Sequence, residues 1–247
     1  MVAPLKIGGG ITFGGGISAG PDVIAPVPAD LVLDLDAANY TAMPVNGTVI
    51  AGTGAYVITT LNSGGSMSWD PADGGIFRKT TAADTDFLTF GPDYSATSAA
   101  YTVMMVYRSQ PPAEGRLLNA NSDSPDWLEG LWGNSGAKQN VFFNGDFVGS
   151  PTAADDNYQF IWATYNGNPG ASVSQNYIAN SGSPYLYGTN STNGGFNGLR
   201  LFGRYFTPTV SSEVPTADVG LVKVWNGVLT LVEIQAQWTA YRVRFGY

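Results

Sequence analysis

Asp218-Val-Gly-Leu-Val-Lys-Val-Trp225-Asn-Gly-Val-Leu-Thr230-Leu-Val-Glu233-Ile234 carries two different structural signals in one run. Val219 to Trp225 reads as a strand. Thr230-Leu-Val-Glu233 is then a capping box, in which the Thr230 hydroxyl is placed to accept from the Glu233 amide. Leu231, Ile234, Trp238 and Tyr241 follow three, four and three residues apart, on one helical face. The spacing predicts a single amphipathic helix of about three turns, its apolar stripe packed on the strands. Arg242 and Arg244 fall at its end, where cations favour the helix dipole. No stretch before residue 230 sustains a helical period, so the rest of the fold is sheet.

Working toward the N-terminus, strand signals recur. Leu199 to Phe206 and Gln159 to Tyr165 are strand candidates, as are Asn140 to Asn144, Arg116 to Asn119 and the short Phe87 to Phe90. Phe143-Asn-Gly-Asp146 sets an Asn-Gly pair between apolar residues, a hairpin signal. Tyr101 to Tyr107 is apolar on both faces, which suits a central strand covered on both sides. Val45 to Thr60, interrupted by Gly47, Gly52 and Gly54, reads as short strands and turns. Leu31, Leu33 and Leu35 alternate with Val32, Asp34 and Asp36 in a half-buried strand. Glycine, at 32 of 247 residues, and abundant Asn, Ser and Thr suit many short strands joined by tight turns. The fold expected is an all-β antiparallel β-sandwich spanning residues 30–247, closed by one C-terminal α-helix.

Residues 1–29 differ. Ile7-Gly-Gly-Gly-Ile11-Thr12 is repeated as Phe13-Gly-Gly-Gly-Ile17-Ser18, with a looser copy to Ile24, and Ala25-Pro-Val-Pro28 resembles a stiff linker. Two and a half copies cannot bury their own apolar side chains. Ile7, Ile11, Phe13 and Ile17 are therefore read as an assembly arm that docks on a partner, with sister arms around a three-fold axis as one arrangement.

The chain carries 19 acids and 11 bases, a net charge of −8, with the bases scattered. No basic stripe suggests nucleic acid or an anionic membrane as partner. Cysteine is absent, which excludes disulfides and thiolate metal sites. No apolar run approaches the ~18 residues of a membrane span. Met1 to Gly20 lacks a basic n-region and a continuous apolar core, so it is not read as a signal peptide, and an extracellular role is expected to use another exit, such as lysis.

The C-terminal run quoted above is similar to the closing segment of laminin-G-like, concanavalin A-like jelly-roll domains, where a last strand leads through a turn into a helix opening on leucine, threonine, two residues, glutamate and isoleucine. Leu31-Val-Leu-Asp-Leu-Asp36-Ala resembles the first strand of these domains, and Tyr101 to Arg108 and Gln159 to Tyr165 fit their two central strands. The ending Arg242-Val-Arg244-Phe-Gly246 resembles that of copies carried by tailed bacteriophages, whose virion structural proteins also have glycine-rich arms. The resemblance implies a jelly-roll sandwich located in a virion, with other virion proteins and its own copies, as a homo-oligomer or trimer, for partners.

Chemistry is sparse in the sequence. With neither His nor Cys, the usual base and thiol nucleophile are missing. Glu114, Glu129, Glu213 and Glu233 are scattered, whereas glycoside hydrolysis needs two carboxyls ~5 Å or ~6.5–9.5 Å apart. Asp34 and Asp36 share one strand face, either as a catalytic or cation-binding pair or as a solvated outer face. Asp70 with Asp73 and Asp123 with Asp126 each offer two loop carboxylates that turn formation explains as well as calcium binding does, Asp155 and Asp156 read as turn chemistry, and no metal or cofactor is expected. Sugar sites stack exposed rings beside amides and carboxylates, which makes Trp127 with Asp126, and Tyr185 with Tyr187, the glycan-binding candidates. Trp132 and Trp162 are assigned to the core. The first reading is a non-enzymatic virion structural protein, its arm fixing it to the particle. The alternative is an adhesin binding a host cell-surface glycan, and a glycoside hydrolase ranks third.

Overall fold

A computed structural model describes residues 31–52, 56–81, 85–95, 100–109, 115–120, 127–132, 139–144, 147–153, 157–166, 174–179, 182–190, 197–207 and 210–247. The chain opens with β1 (Leu31–Asp36), β2 (Val57–Asn62), β3 (Met67–Asp70), β4 (Ile76–Lys79), β5 (Asp86–Ser95) and β6 (Tyr101–Ser109). It continues through β7 (Gly115–Ala120), β8 (Trp127–Trp132), β9 (Gln139–Asn144), β10 (Phe147–Ala153), β11 (Gln159–Tyr165) and β12 (Ser174–Ala179). The last elements are β13 (Tyr185–Asn190), β14 (Asn197–Leu201), β15 (Arg204–Thr207), β16 (Val210–Ser212), β17 (Ala217–Asn226) and the helix α1 (Leu231–Tyr241).

These strands form two main antiparallel sheets. One runs β13-β12-β11-β6-β17-β4-β3, with β1 also paired to β17, and the other runs β10-β9-β8-β7-β14-β5-β2. The ten-residue β17 serves two neighbours along one edge, β4 at Ala217–Val219 and β1 from Leu221 to Trp225. The β9–β10 hairpin forms around the Asn-Gly signal, with Phe143 opposite Phe147.

Period-two alternation decides which side chains meet. On β6, Val103 and Met105 face the other sheet and join Leu35, Ile58, Leu88, Phe90, Leu118, Ile161, Leu199, Leu201 and Val222 in the inter-sheet core. Met104 and Val106 point the other way, into a second cluster with Phe160, Trp162, Leu221 and Trp225. α1 covers this second face through Ile234 and Trp238. The two-sided apolar run at Tyr101–Tyr107 is thus a central strand buried on both faces, and Trp162 is fully buried as expected. Each large side chain so buried contributes about 1.5–3 kcal/mol.

Two local expectations are corrected. Leu199–Phe206 is not one strand: Phe202 takes a φ of 69° and Gly203 of 130°, and this turn separates β14 from β15. The helix's buried stripe is Ile234, Gln237 and Trp238, while Leu231, in the first turn beside the exposed Thr230 and Val232, is 40% exposed. The capping box forms as the sequence requires, with Glu233 N donating to Thr230 Oγ1 and Thr230 N donating to Glu233 Oε2.

The C-terminal segment locks against the end of β1 and the turn before β4. Arg244 Nη1 donates to Asp36 Oδ1 at 2.5 Å, Nε to the Asp73 carbonyl at 2.9 Å and Nη2 to the Gly75 carbonyl at 2.6 Å. Phe245 fits against Gly220, where a Cβ would lie 2.4 Å from its ring. The first-strand Asp36 and the terminal Arg-Phe-Gly, quoted above for the resemblance, are therefore two sides of one contact.

Candidate functional site

The acids come first, because they bear on catalysis. Asp34 is bound at 2.7 Å by Lys223, its cross-strand partner on β17. Burial alone would lower the Lys223 ammonium, but Asp34 and the Tyr241 hydroxyl together outweigh it and hold the group above its ordinary value. Asp36 takes Arg244 and also caps the Ala38 amide at 2.9 Å. The pair is therefore neither a solvated face nor an open cation site: each member already has a fixed cation. Asp70 holds Arg78 at 2.5 Å, and Asp73 accepts from the Tyr158 hydroxyl at 2.8 Å.

Asp218 is the most enclosed of these acids. Its β17 position lies opposite Arg78 on β4 and Arg108 on β6, which puts three charges in one cross-strand row. Arg78 Nε and Nη2 reach its two oxygens at 2.7 and 3.2 Å, and Arg108 Nη2 and Nε reach Oδ2 at 2.7 and 3.2 Å. Burial pushes this carboxyl up, yet the hydrogen bonds from both guanidiniums prevail and hold it below the usual carboxylate range. Asp86 behaves alike: burial raises it, while bonds from Ser66 Oγ and N, the Gly64 amide and the Lys79 charge bring it down. A general acid at neutral pH needs the opposite shift.

The outer face of the seven-stranded sheet carries a row of polar side chains. Leu118, Leu199, Leu88 and Ile58 turn inward, so Asn119, Arg200, Thr89 and Thr59 turn outward. The registers Asn119↔Arg200, Arg200↔Thr89 and Thr89↔Thr59 align them in one row across four strands. The row is graded, from exposed Thr59 through half-buried Thr89 to buried Arg200 and Asn119. Arg200 stacks on the Phe87 ring, 3.9 Å from guanidinium carbon to centroid. Arg116 donates to Asn119 Oδ1 at 2.9 Å and to Glu213 Oε2 at 2.5 Å, and Arg204 donates to Glu213 Oε1 at 3.2 Å. The result is a fixed polar track of hydroxyl, guanidinium and amide groups, open at its β2 end. Its charged members were not among the residues singled out from sequence, although Leu199-Arg200-Leu201 contains the signal: a charge between two core leucines must face away from the core.

The glycan-binding candidates do not fall together. Trp127 opens β8, the strand beside β7 in the seven-stranded sheet, opposite Asn144 of β9. Asp126 lies outside the described residues. Tyr185 opens β13, an edge strand of the eight-stranded sheet, and is 44% exposed beside Leu186 at 45%. Tyr187 falls at the register shift between Asn176↔Gly188 and Tyr177↔Leu186. Trp127 and the two tyrosines are thus on different sheets, and no cross-strand row joins them. Trp127 instead belongs to the sheet that carries the polar track. Ile7, Ile11, Phe13 and Ile17 of the arm lie outside the described residues, as do Glu114, Asp123, Asp155 and Asp156. Among the described residues, no three His, Cys, Asp or Glu gather as metal ligands.

No protein-family model and no curated protein sequence matches the chain. Solved structures do match its fold. Domain 4 of AbnA, a GH43 extracellular arabinanase from Geobacillus stearothermophilus, in complex with arabinotriose, superposes with a TM-score of 0.52 at 14% identity, over 83% of this chain and 97% of that one. The Trypanosoma rangeli sialidase gives 0.58 at 13% identity, over 90% of this chain and 34% of its own. The botulinum neurotoxin serotype G binding domain gives 0.58 at 10%, over 85% of this chain and 51% of its own. The chain thus corresponds to nearly all of the arabinanase domain, to about half of the neurotoxin domain and to about a third of the sialidase. At these identities the likeness is one of fold, and the fold is the concanavalin A-like β-sandwich: two antiparallel sheets face to face, with one C-terminal helix on the back of the eight-stranded sheet.

Proposed function

We propose that this chain is a non-catalytic carbohydrate-binding module. The observation that carries the reading is its near end-to-end correspondence, 97% of that chain, with an isolated arabinanase domain seen with arabinotriose. The accessible end of the polar track adds to it, since the Thr59 and Thr89 hydroxyls on a rigid sheet suit the hydroxyls of a neutral oligosaccharide. The non-catalytic half rests on Asp34, Asp36, Asp70, Asp218, Glu213 and Glu233, each committed to a cation or to a helix cap. It also rests on a sequence without His or Cys.

Residues 1–29 and the Arg244-Phe-Gly246 ending support a second reading that is compatible with the first, a virion structural protein that presents this sandwich. In that reading its partners are other virion proteins and its own copies, and any glycan belongs to a host surface. A glycan array with the purified full chain, followed by calorimetry on any hit, tests the proposal. Binding weakened by Trp127→Ala or by Thr89→Ala supports it and selects the seven-stranded sheet. Binding weakened only by Tyr185→Ala moves the site to β13. A chain that binds no glycan leaves the assembly reading alone.

A further inference from the structure

No side chain from Asn157 to Leu199 carries a charge, in a chain whose net charge is −8. The neighbouring strands β11, β12 and β13 lie within this run, and β13 is an edge of the eight-stranded sheet. Edge strands invite pairing with another chain unless something covers or interrupts them.

The other described edges are each dealt with. Along β2, Gly47 N donates to the Ile58 carbonyl at 2.9 Å and Ile58 N to the Thr48 carbonyl at 2.8 Å, while Asn46 Oδ1 accepts from Thr60 N at 2.6 Å. β3 is only four residues long, and the Asn62 side chain takes up both the amide and the carbonyl of Met67. On β1, Asp34 N donates to the Ala51 carbonyl at 2.7 Å. β10 contains Pro151, which has no amide proton to offer. β13 differs. It pairs with β12 alone, and β10 comes near it without pairing. Its sequence, Tyr185-Leu-Tyr-Gly-Thr-Asn190, holds neither a charge nor a proline, and its one irregularity is the bulge at Tyr187, which divides the edge into two short stretches. Tyr185, Leu186 and Thr189 are exposed along it.

We infer that two copies of this chain join through β13, antiparallel across a two-fold axis, so that the eight-stranded sheet runs on from one copy into the other. Charge selects a second copy as the occupant. Two chains of net charge −8 repel each other, and they do so least where their uncharged strands meet. A partner recognised by its charge finds no counter-charge on β13. Antiparallel pairing about a two-fold is also self-complementary, since the free amides and carbonyls of β13 answer those of its twin. This inference is independent of the carbohydrate reading and is tested without a ligand.

Sedimentation velocity of the full chain over a dilution series, at low and at high salt, reads the assembly. Leu186→Asp is compared with Val243→Asp, whose position is 75% exposed beyond the C-terminal end of α1. Thr189→Lys, a second change on the exposed edge, keeps the test open should Leu186→Asp fail to fold by circular dichroism. The inference expects a dimer whose dissociation constant does not rise with salt. Either edge variant should raise that constant by about tenfold or more, because the two-fold brings the new charge into the contact twice, and Val243→Asp should leave it unchanged. A monomer at every concentration, a dimer that weakens as salt rises, or an assembly that both edge variants leave intact would overturn it.

Discussion

Asp218→Ala tests whether the buried ion cluster holds the eight-stranded sheet together. The carboxylate side chain is fully buried, whereas those of Arg78 and Arg108 are 28% and 27% exposed. Removing it deletes four charge-assisted hydrogen bonds and leaves two guanidiniums facing each other across β17. Breaking a buried pair by taking one partner costs about 3–5 kcal/mol. The two arginines can recover part of their hydration, so the lower end applies, about 3 kcal/mol. For a chain of this size that corresponds to a fall in Tm of roughly 6–12 °C.

Urea unfolding at neutral pH, followed by tryptophan fluorescence, measures the loss. The pH dependence supplies a second check on the same group. The folded-state pKa of Asp218 is depressed, so its contribution is present above the unfolded value and disappears as pH falls through the folded one. The wild-type advantage over Asp218→Ala should therefore shrink in acid and be constant from about pH 6 to 8. A loss below about 1 kcal/mol at neutral pH would refute the reasoning, because it would place the cluster among exposed ion pairs of little consequence.

Three further outcomes are expected. Gly220→Ala should destabilise by about 1–3 kcal/mol, since its new Cβ would sit 2.4 Å from the Phe245 ring and the terminal segment has to move; the thermal midpoint reads this directly. Thr230→Ala should cost about 0.5–2 kcal/mol through loss of the capping box, with the sheets intact by circular dichroism. Asp86→Asn should remove part of the acid sensitivity of unfolding, because Asp86 is held below its ordinary value and its contribution vanishes as pH falls through that depressed pKa. An unchanged acid limb in a urea series from neutral to low pH would contradict the assignment.

The parts of the fold that sequence made legible are those where local signals agree with tertiary packing. Gln159–Tyr165 has the bounds observed, because each of its residues is buried and Phe160 to Ala163 is an unbroken apolar run. Thr230 and Glu233 announce the helix start through a purely local pair of hydrogen bonds. β3, β4, β8, β12, β13 and β16 escaped, since their residues are mixed in polarity and are ordered by their neighbours. The split at Phe202 escaped as well, because its positive φ answers to the hydrogen bond from its amide to the Leu117 carbonyl, a contact no local rule contains. Leu231 matched the helical stripe, yet it is 40% exposed, which its spacing alone does not tell.

At the candidate site, the fate of the acids was hidden for a related reason. Asp34 and Asp36 read as a pair, while their partners Lys223 and Arg244 lie 189 and 208 residues away in sequence. The aromatic candidates were chosen by residue type, which is blind to the sheet on which each strand would fall. The outward row through Arg200 and Asn119 could be read from alternation only once their strands were known to be neighbours.

Titration of the full chain with arabino-oligosaccharides, and with a broader glycan panel, is the most direct measure of the central claim. The account predicts saturable binding of at least one oligosaccharide, weakened by substitution on the seven-stranded sheet, with no cleavage of the ligand over prolonged incubation. No binding across the panel, or hydrolysis of a bound glycan by the pure chain, would contradict it.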